Sequence, residues 1–213
     1  MIVTPASHGL ELGLNAPGFE RSPGLHMSAI YNSLYKAIDP KRYADRNGGM
    51  PLDKLEAGMI WEELLERGFK ARPGIGFDAW RPGEFRTENE GIAYSPDLLI
   101  TNGETRLGEI KLTWYSCKET PISREQAEAA HRPDLANTRT EFGSKFDKWL
   151  TQIKAYLYHL HLTEARLIVL FVNGSYKPPS PVPLAWDLSF LVSELQEEWD
   201  TLLAHARAEG MLP

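Results

Sequence analysis

Two strand-like segments near the middle of the chain constrain its fold more than any other feature. Residues 92–100 (IAYSPDLLI) and 106–114 (RLGEIKLTW) are rich in aliphatic and aromatic residues, and the TNGET between them holds an Asn-Gly turn signal. Strands joined by so short a connection pair with each other in antiparallel fashion. We therefore expect a β-hairpin here.

The pairing register of this hairpin decides which side chains share a face, since side chains alternate along a strand. If Asp97 lies opposite Glu109, the loop has three residues (102–104) with its glycine in a left-handed conformation, and both carboxylates share a face with Lys111. A two-residue Asn-Gly loop would instead pair Asp97 with Gly108 and separate the carboxylates. The first register is favoured because it also gathers an apolar set on the opposite face, namely Leu98, Ile100, Ile110 and Leu112.

Two carboxylates beside an ammonium group suit the hydrolysis of phosphodiesters. Carboxylate oxygens bind hard cations such as Mg²⁺, which lower the pKa of bound water and neutralise charge on a phosphate. Lys111 could orient that water or stabilise the developing negative charge. Alternation alone leaves a second interpretation open, a solvated strand face with a cross-strand ion pair.

Helical patterns on both sides of the hairpin predict an α/β fold, a mixed central β-sheet flanked by α-helices. Residues 1–25 are rich in Gly and Pro and predict an N-terminal arm or loop, and residues 26–213 predict a single domain. Before the hairpin we expect a helix from its N-cap Ser28 to about Ala37 and a helix from Pro51–Asp53 to Gly68. After it we expect a short helix with a capping box at Ser123 and Gln126, a helix over 144–162 and a buried strand over 166–173. A proline-rich loop at 178–183 and a last helix over 193–210 complete the prediction.

Composition excludes several classes of protein. The lone Cys117 cannot form an internal disulfide, a four-cysteine zinc site or an iron–sulfur cluster. The net charge of −6 argues against a passive, charge-driven coat on nucleic acid, although residues 111–154 carry eight Lys and Arg against six acids. The N-terminus lacks a secretory pattern and no run approaches 18 apolar residues, so we expect a cytoplasmic protein without membrane contact.

Four short motifs follow one another in a fixed order: Gly58-xxx-Glu62 on a helix, Pro96-Asp97, Glu109-Ile110-Lys111, and Gln152-xxx-Tyr156 on a later helix. Together they resemble the PD-(D/E)xK nuclease superfamily, in particular its RecB-like and phage-type exonuclease branch. The resemblance covers about residues 26–175 and implies a restriction-endonuclease-like core. The four cysteines of the iron–sulfur relatives are missing, so no such cluster is expected.

The resemblance implies a role for each matching position. Asp97 and Glu109 become ligands of Mg²⁺ or Mn²⁺ with the carbonyl oxygen of Ile110, and Lys111 becomes the catalytic lysine. Glu62 matches a helical ligand position where many relatives have His. The DNA-binding residues are Gln152, Tyr156, Lys145 and Lys148, which follow one polar stripe.

Glu62 has two acidic neighbours that could be confused with it. It lies three residues after Met59 and seven after Leu55, on a stripe that faces inward. Glu63 and Glu66 are expected to be solvated. We therefore assign the ligand position to Glu62.

The function implied by the resemblance is that of a metal-dependent deoxyribonuclease, an exonuclease of the phage recombination or DNA-repair type. Its expected partners are DNA, a single-strand annealing or recombination protein, and further copies of itself in a homo-oligomer. The expected location is the cytoplasm of a bacterial or phage-infected cell. Two alternatives stay open, namely a structure-specific or restriction-like endonuclease on the same core and a non-catalytic DNA-binding subunit.

Overall fold

A computed structural model describes residues 22–43, 52–71, 78–137, 139–174 and 180–213. Most of the predicted arm, residues 1–21, lies outside the described residues. The helices are α1 (Met27–Ile38), α2 (Pro40–Tyr43), α3 (Leu52–Ala71), α4 (Arg124–Ala129), α5 (Asp147–Leu160) and α6 (Val192–Ala208). The strands are β1 (Asp78–Trp80), β2 (Phe85–Arg86), β3 (Ala93–Tyr94), β4 (Leu98–Asn102), β5 (Glu104–Thr113), β6 (Glu164–Phe171) and β7 (Val182–Ser189).

A mixed sheet forms the centre of the molecule, with the strand order β1-β4-β5-β6-β7. Strands β5 and β6 are parallel, and the other neighbours in this sheet are antiparallel. Helices α1, α5 and α6 pack on one face around a large apolar core, whereas α3 covers part of the other face. The predicted fold class, a mixed central sheet flanked by helices, is confirmed. Within the described residues, no helix is both long enough and apolar enough to cross a bilayer.

The hairpin has the register that the apolar alternation predicts. Thr101 pairs with Thr105 and Leu98 with Gly108, so the next position along places Asp97 beside Glu109. The two strands extend further than predicted, to residues 102 and 104, and only Gly103 remains between them with φ +85°. A positive φ at that position favours glycine, because a Cβ would be strained there.

Several helix ends differ from the prediction, among them the start of α1 and the end of α3. Helix α1 begins at Met27, with His26 as an N-cap that makes no side-chain capping bond, so the assignment of Ser28 as the N-cap is wrong. Helix α3 continues through Gly68 to Ala71. Gly68 lies in open space, where a helix tolerates glycine at a cost of about 1 kcal/mol. The capping box of Ser123 and Gln126 is present at the start of α4.

Strand β7 was not predicted, and its first residues fall in the stretch assigned to a proline-rich loop. Its burial alternates strictly from Val182 to Asp187, which is the pattern of a strand with one covered face. Pro183 is compatible with this strand because β7 lies at the edge of the sheet.

Candidate active site

The open edge of β5 creates the site. Strand β4 begins at Leu98, and Pro96 and Asp97 precede it, so β5 continues past its partner. The Asp97 side chain takes the place of a strand neighbour, since its Oδ2 accepts a hydrogen bond of 2.7 Å from the Ile110 amide. The N–H and C=O of a strand residue point to the same edge. The carbonyl oxygen of Ile110 therefore faces the edge at which Asp97 lies.

Glu109 is fully buried beneath this edge. Its Oε1 accepts hydrogen bonds from the Lys111 ammonium and, at 2.6 Å, from Gln152 Nε2. Its Oε2 is buried too, and none of the described residues donates a hydrogen bond to it. A buried carboxylate oxygen without a partner is costly, at about 1–3 kcal/mol or more.

Burial and charge shift the pKa of both ionisable groups on β5. Burial, and then the nearby Asp97 carboxylate, raise the pKa of Glu109 to about 8. Burial favours the neutral form of Lys111, but the carboxylates of Glu109 and Asp97 outweigh it, and the pKa of Lys111 lies above its usual value. The ammonium group of Lys111 is therefore held in its charged form, whereas burial opposes ionisation of the Glu109 carboxyl group.

Helix α5 supplies the residues that fix this pair. Gln152 and Tyr156 are four positions apart, so they lie one above the other on the helix face. Gln152 Oε1 accepts a 3.1 Å bond from Lys111 Nζ, and its Nε2 lies 3.3 Å from the Tyr156 hydroxyl. Both side chains are buried. The structure thus brings Gln152 and Tyr156 to the Glu109–Lys111 pair.

The two predicted DNA-binding lysines lie nearer the surface, Lys145 in the turn before α5 and Lys148 in its first turn. Lys145 forms an ion pair with Glu119 and is 42% exposed. Lys148 Nζ lies 5.7 Å from the centre of the Tyr31 ring. Lys148 lies four residues before Gln152, so the two side chains share a face of α5.

Glu62 reaches the same region from α3. Burial, followed by the charge of Asp97, raises its pKa, while Arg81 and Lys111 act in the opposite direction. Arg81 binds Glu62 and Glu66 at 3.3 Å each, and Glu66 is 28% exposed against 34% for Glu62, so the expectation that Glu66 is the more solvated of the two is wrong. Glu63 is exposed and pairs with Arg67, as its predicted outward position requires.

A cleft of about 460 Å³ opens over these residues. Glu62, Asp97 and Tyr156 line it, together with Arg81 and Tyr31, which sequence reasoning missed. Arg81 lies in a stretch without periodicity, so no sequence signal indicates it. Tyr31 lies three residues after Ser28, which also lines the cleft, and such a pair shares a helix face.

The donor set fits a hard divalent cation at Asp97 and Glu109. The partnerless Oε2 of Glu109 and the adjacent carboxylate of Asp97 supply the oxygen ligands that Mg²⁺ and Mn²⁺ prefer. In the part of the chain that is described, no three His, Cys, Asp or Glu side chains are grouped closely enough to hold a metal ion. Glu62 instead pairs with Arg81.

Comparison with known proteins gives distant likenesses in structure alone. No family model matches the chain, and no curated protein matches it in sequence. One similar solved structure is SSO0001, with 16% identity over 83% of this chain and 69% of the other, at a TM-score of 0.43. Another is an alkaline exonuclease (LHK-Exo) from Laribacter hongkongensis, with 15% identity over 87% and 89% of the two chains and a TM-score of 0.45. A complex of LHK-Exo with dAMP is similar with 17% identity, the same coverage and a TM-score of 0.44.

Proposed function

We propose that this protein is a metal-dependent deoxyribonuclease, an exonuclease of the phage recombination or DNA-repair type. One observation carries the proposal. The fully buried Glu109 has one carboxylate oxygen without a partner among the described residues, it interacts with the nearby Asp97 that lines the cleft, and Lys111 is bonded to its other oxygen. A cation would compensate this buried oxygen, and the lysine would then lie beside the phosphate.

The residues that would hold Mg²⁺ or Mn²⁺ are Asp97, Glu109 and the carbonyl of Ile110, with Glu62 at the cleft wall. When bound, the metal supplies a water of lowered pKa and neutralises charge on the phosphodiester. Glu109 has to release its proton before it can serve as a ligand, and its raised pKa makes this release dependent on pH. Glu62 has to exchange Arg81 for the cation.

Lys111 acts on the charge that develops during hydrolysis. Glu109 and Gln152 fix its ammonium group, so the group is oriented before the substrate arrives. An oriented cation costs no reorganisation when the phosphate gains negative charge. Gln152 and Tyr156 act through Lys111 and Glu109 and are positioning residues in this proposal.

DNA would lie in the cleft with its backbone toward Lys145 and Lys148. The overall charge of −6 makes binding depend on such local cations and on the metal. The exonuclease form of the activity, the recombination partner and the homo-oligomer rest on the order of the sequence motifs and stay predictions.

The decisive experiment follows nucleotide release from end-labelled linear duplex DNA with Mg²⁺, Mn²⁺ or EDTA. We expect metal-dependent release by the wild type and none by Lys111→Ala. Lys154→Ala is the matched control, because Lys154 is 23% exposed, close to the 20% of Lys111, and pairs with Glu198 on α6. It should digest DNA as the wild type does.

Closed circular DNA separates the remaining possibilities. A strict exonuclease leaves the circle intact, so cutting of the circle would establish an endonuclease on the same core. Intact linear and circular DNA under every metal condition, together with DNA binding that Lys111→Ala does not alter, would contradict the enzyme and favour a binding subunit.

A further inference from the structure

Cations lie over aromatic rings next to the cleft, where Tyr115 is exposed, Tyr43 is half-buried and Tyr31 is buried. Three pairs form what we call the aromatic strip: Arg42 with Tyr43, Lys145 with Tyr115, and Lys148 with Tyr31. The cation-to-ring distances are 5.1, 5.8 and 5.7 Å in that order. Each is within the range of about 6 Å in which a ring face attracts a cation.

The strip is continuous although its members come from three helices and two connecting segments. Arg42 Nη1 donates a 3.3 Å hydrogen bond to the Ser144 hydroxyl, which joins α2 to the turn before α5. The next residue, Lys145, lies over the ring of Tyr115, just beyond the end of β5. The Tyr115 ring meets Phe146 edge-on at 6.0 Å, which fixes its orientation.

The strip leads directly into the candidate active site. Tyr31 pairs with Lys148 and also lines the cleft that contains Asp97. Lys148 lies one helical turn before Gln152, which holds Lys111. A chain bound along the strip would therefore enter the cleft at the Lys111 side.

The charge of the strip is opposite to that of the whole protein. Segments 36–43, 114–119 and 144–148 carry six Lys and Arg against three acids, whereas the net charge of the chain is −6. The three acids are Asp39, Glu119 and Asp147, and Glu119 is paired with Lys145. The local excess of positive charge matches a phosphate backbone.

We propose that the aromatic strip binds a single-stranded DNA segment that is continuous with the strand in the cleft. The inference rests on the proposed function and adds the form of its substrate. Tyr115 is 43% exposed, so its ring can stack on a base. A base in a duplex is already stacked on its neighbours, and only an unpaired base can reach such a ring. Cations alone would bind either form, and the rings favour the single strand.

The test is binding of a fluorescent single-stranded oligonucleotide and of a blunt duplex of the same length, measured by anisotropy in EDTA. Wild type should bind the single strand more tightly. Base stacking contributes about 1–3 kcal/mol per base, so Tyr115→Ala should weaken single-strand binding about 5- to 150-fold and leave duplex binding unchanged. Tyr115→Phe keeps the ring and should bind like the wild type.

Two further variants test whether binding depends on the position of the ring and on the charge of the strip. Trp80 on β1 is an aromatic residue with a similar exposure of 48%, and Trp80→Ala should bind the single strand like the wild type. Lys148→Gln should reduce the salt dependence of single-strand binding by about 0.7 in the slope of log K against log salt.

Equal affinity of the wild type for single strand and duplex would overturn the inference, as would unchanged single-strand binding by a folded Tyr115→Ala. Because the assay contains no divalent metal, it does not need nuclease activity. A protein that binds as expected but never digests DNA would keep the strip and lose the proposed function. A protein that digests DNA without preferring the single strand would support the proposed function and contradict the role of the aromatic strip.

Discussion

The two faces of β5 contrast sharply although their residues alternate along one strand. On one face Ile110 packs with Leu98 and Ile100 against Trp61 and Leu65 of α3, without an ionisable group in the cluster. A fully buried aliphatic side chain contributes about 1.5–3 kcal/mol to stability.

The other face of β5 buries Glu109 beside Lys111, with one carboxylate oxygen left without a partner among the described residues. Such an arrangement opposes folding. The apolar face therefore stabilises the strand on which the polar face depends. The two faces should respond differently to substitution.

The largest expected effect is on catalysis, from Glu109→Gln on the polar face. The amide keeps the size of the carboxyl group but cannot supply an anionic ligand to a divalent cation. Activity should fall at least 100-fold, beyond the roughly 10- to 100-fold typical of residues that only orient metal ligands. Nucleotide release from linear DNA measures this loss. Retention of more than a tenth of the wild-type rate would exclude Glu109 as a ligand.

The next effect is on stability, from Ile100→Ala on the apolar face. Ile100 is 1% exposed, and truncation of such a side chain costs about 2–5 kcal/mol in the free energy of unfolding. Urea denaturation of the variant and the wild type measures it. The remaining folded fraction should keep its rate of DNA digestion, since Ile100 packs on the face of β5 that is opposite to Glu109 and Lys111. A variant of normal stability with lost activity would contradict the division between the faces.

A smaller loss of stability is expected from Gly108→Ala, which adds one methyl group to the apolar face. A Cβ at this position would lie 2.9 Å from Leu98 Cβ and 3.0 Å from Ile100 Cδ1. The Leu98 Cβ is fixed to the backbone and cannot move aside, so overpacking should cost about 1–3 kcal/mol. The companion variant is Ile100→Val, which removes a methyl group near position 108 and is measured by the same urea denaturation. The double variant should recover part of the stability lost by Gly108→Ala.

The contrast between the faces explains what the sequence can predict. Alternation fixes the register at Asp97 and Glu109 because a shift by one residue would expose a whole apolar set. The contact between Gln152 and Lys111 follows from no local rule, since it depends on how α5 crosses the sheet. The family resemblance indicates that Gln152 belongs to the site but does not give this contact.

Two other features could not be predicted from the sequence, each for its own physical reason. Strand β7 contains Pro183, and a proline reads as a break unless the strand is known to lie at an edge. The pairing of Arg81 with Glu62 and Glu66 joins two distant segments, and the chain around Arg81 has no periodic pattern. Both features depend on tertiary contacts between segments that are distant in the sequence.

The last prediction is a pH dependence that only the polar face can produce. An unfolded chain ionises Glu109 near its ordinary pKa of 4.5, whereas the folded protein holds the proton to about 8. The folded state then binds more protons between these values, so this group's contribution to stability falls as the pH rises from about 4.5 to about 8. Lys111 does not interfere in this window, because its raised pKa contributes stability that is lost only above the ordinary lysine range.

Glu109→Gln isolates this contribution, since the amide does not titrate. In EDTA, the difference in free energy of unfolding between the variant and the wild type should grow in favour of the variant from pH 5 to pH 8 and level off above. Urea denaturation at intervals of one pH unit measures it, with Ile100→Ala as the variant whose difference from the wild type should stay constant. A constant difference for Glu109→Gln would mean that the buried carboxyl group is already ionised at pH 5, and that Lys111 alone compensates it.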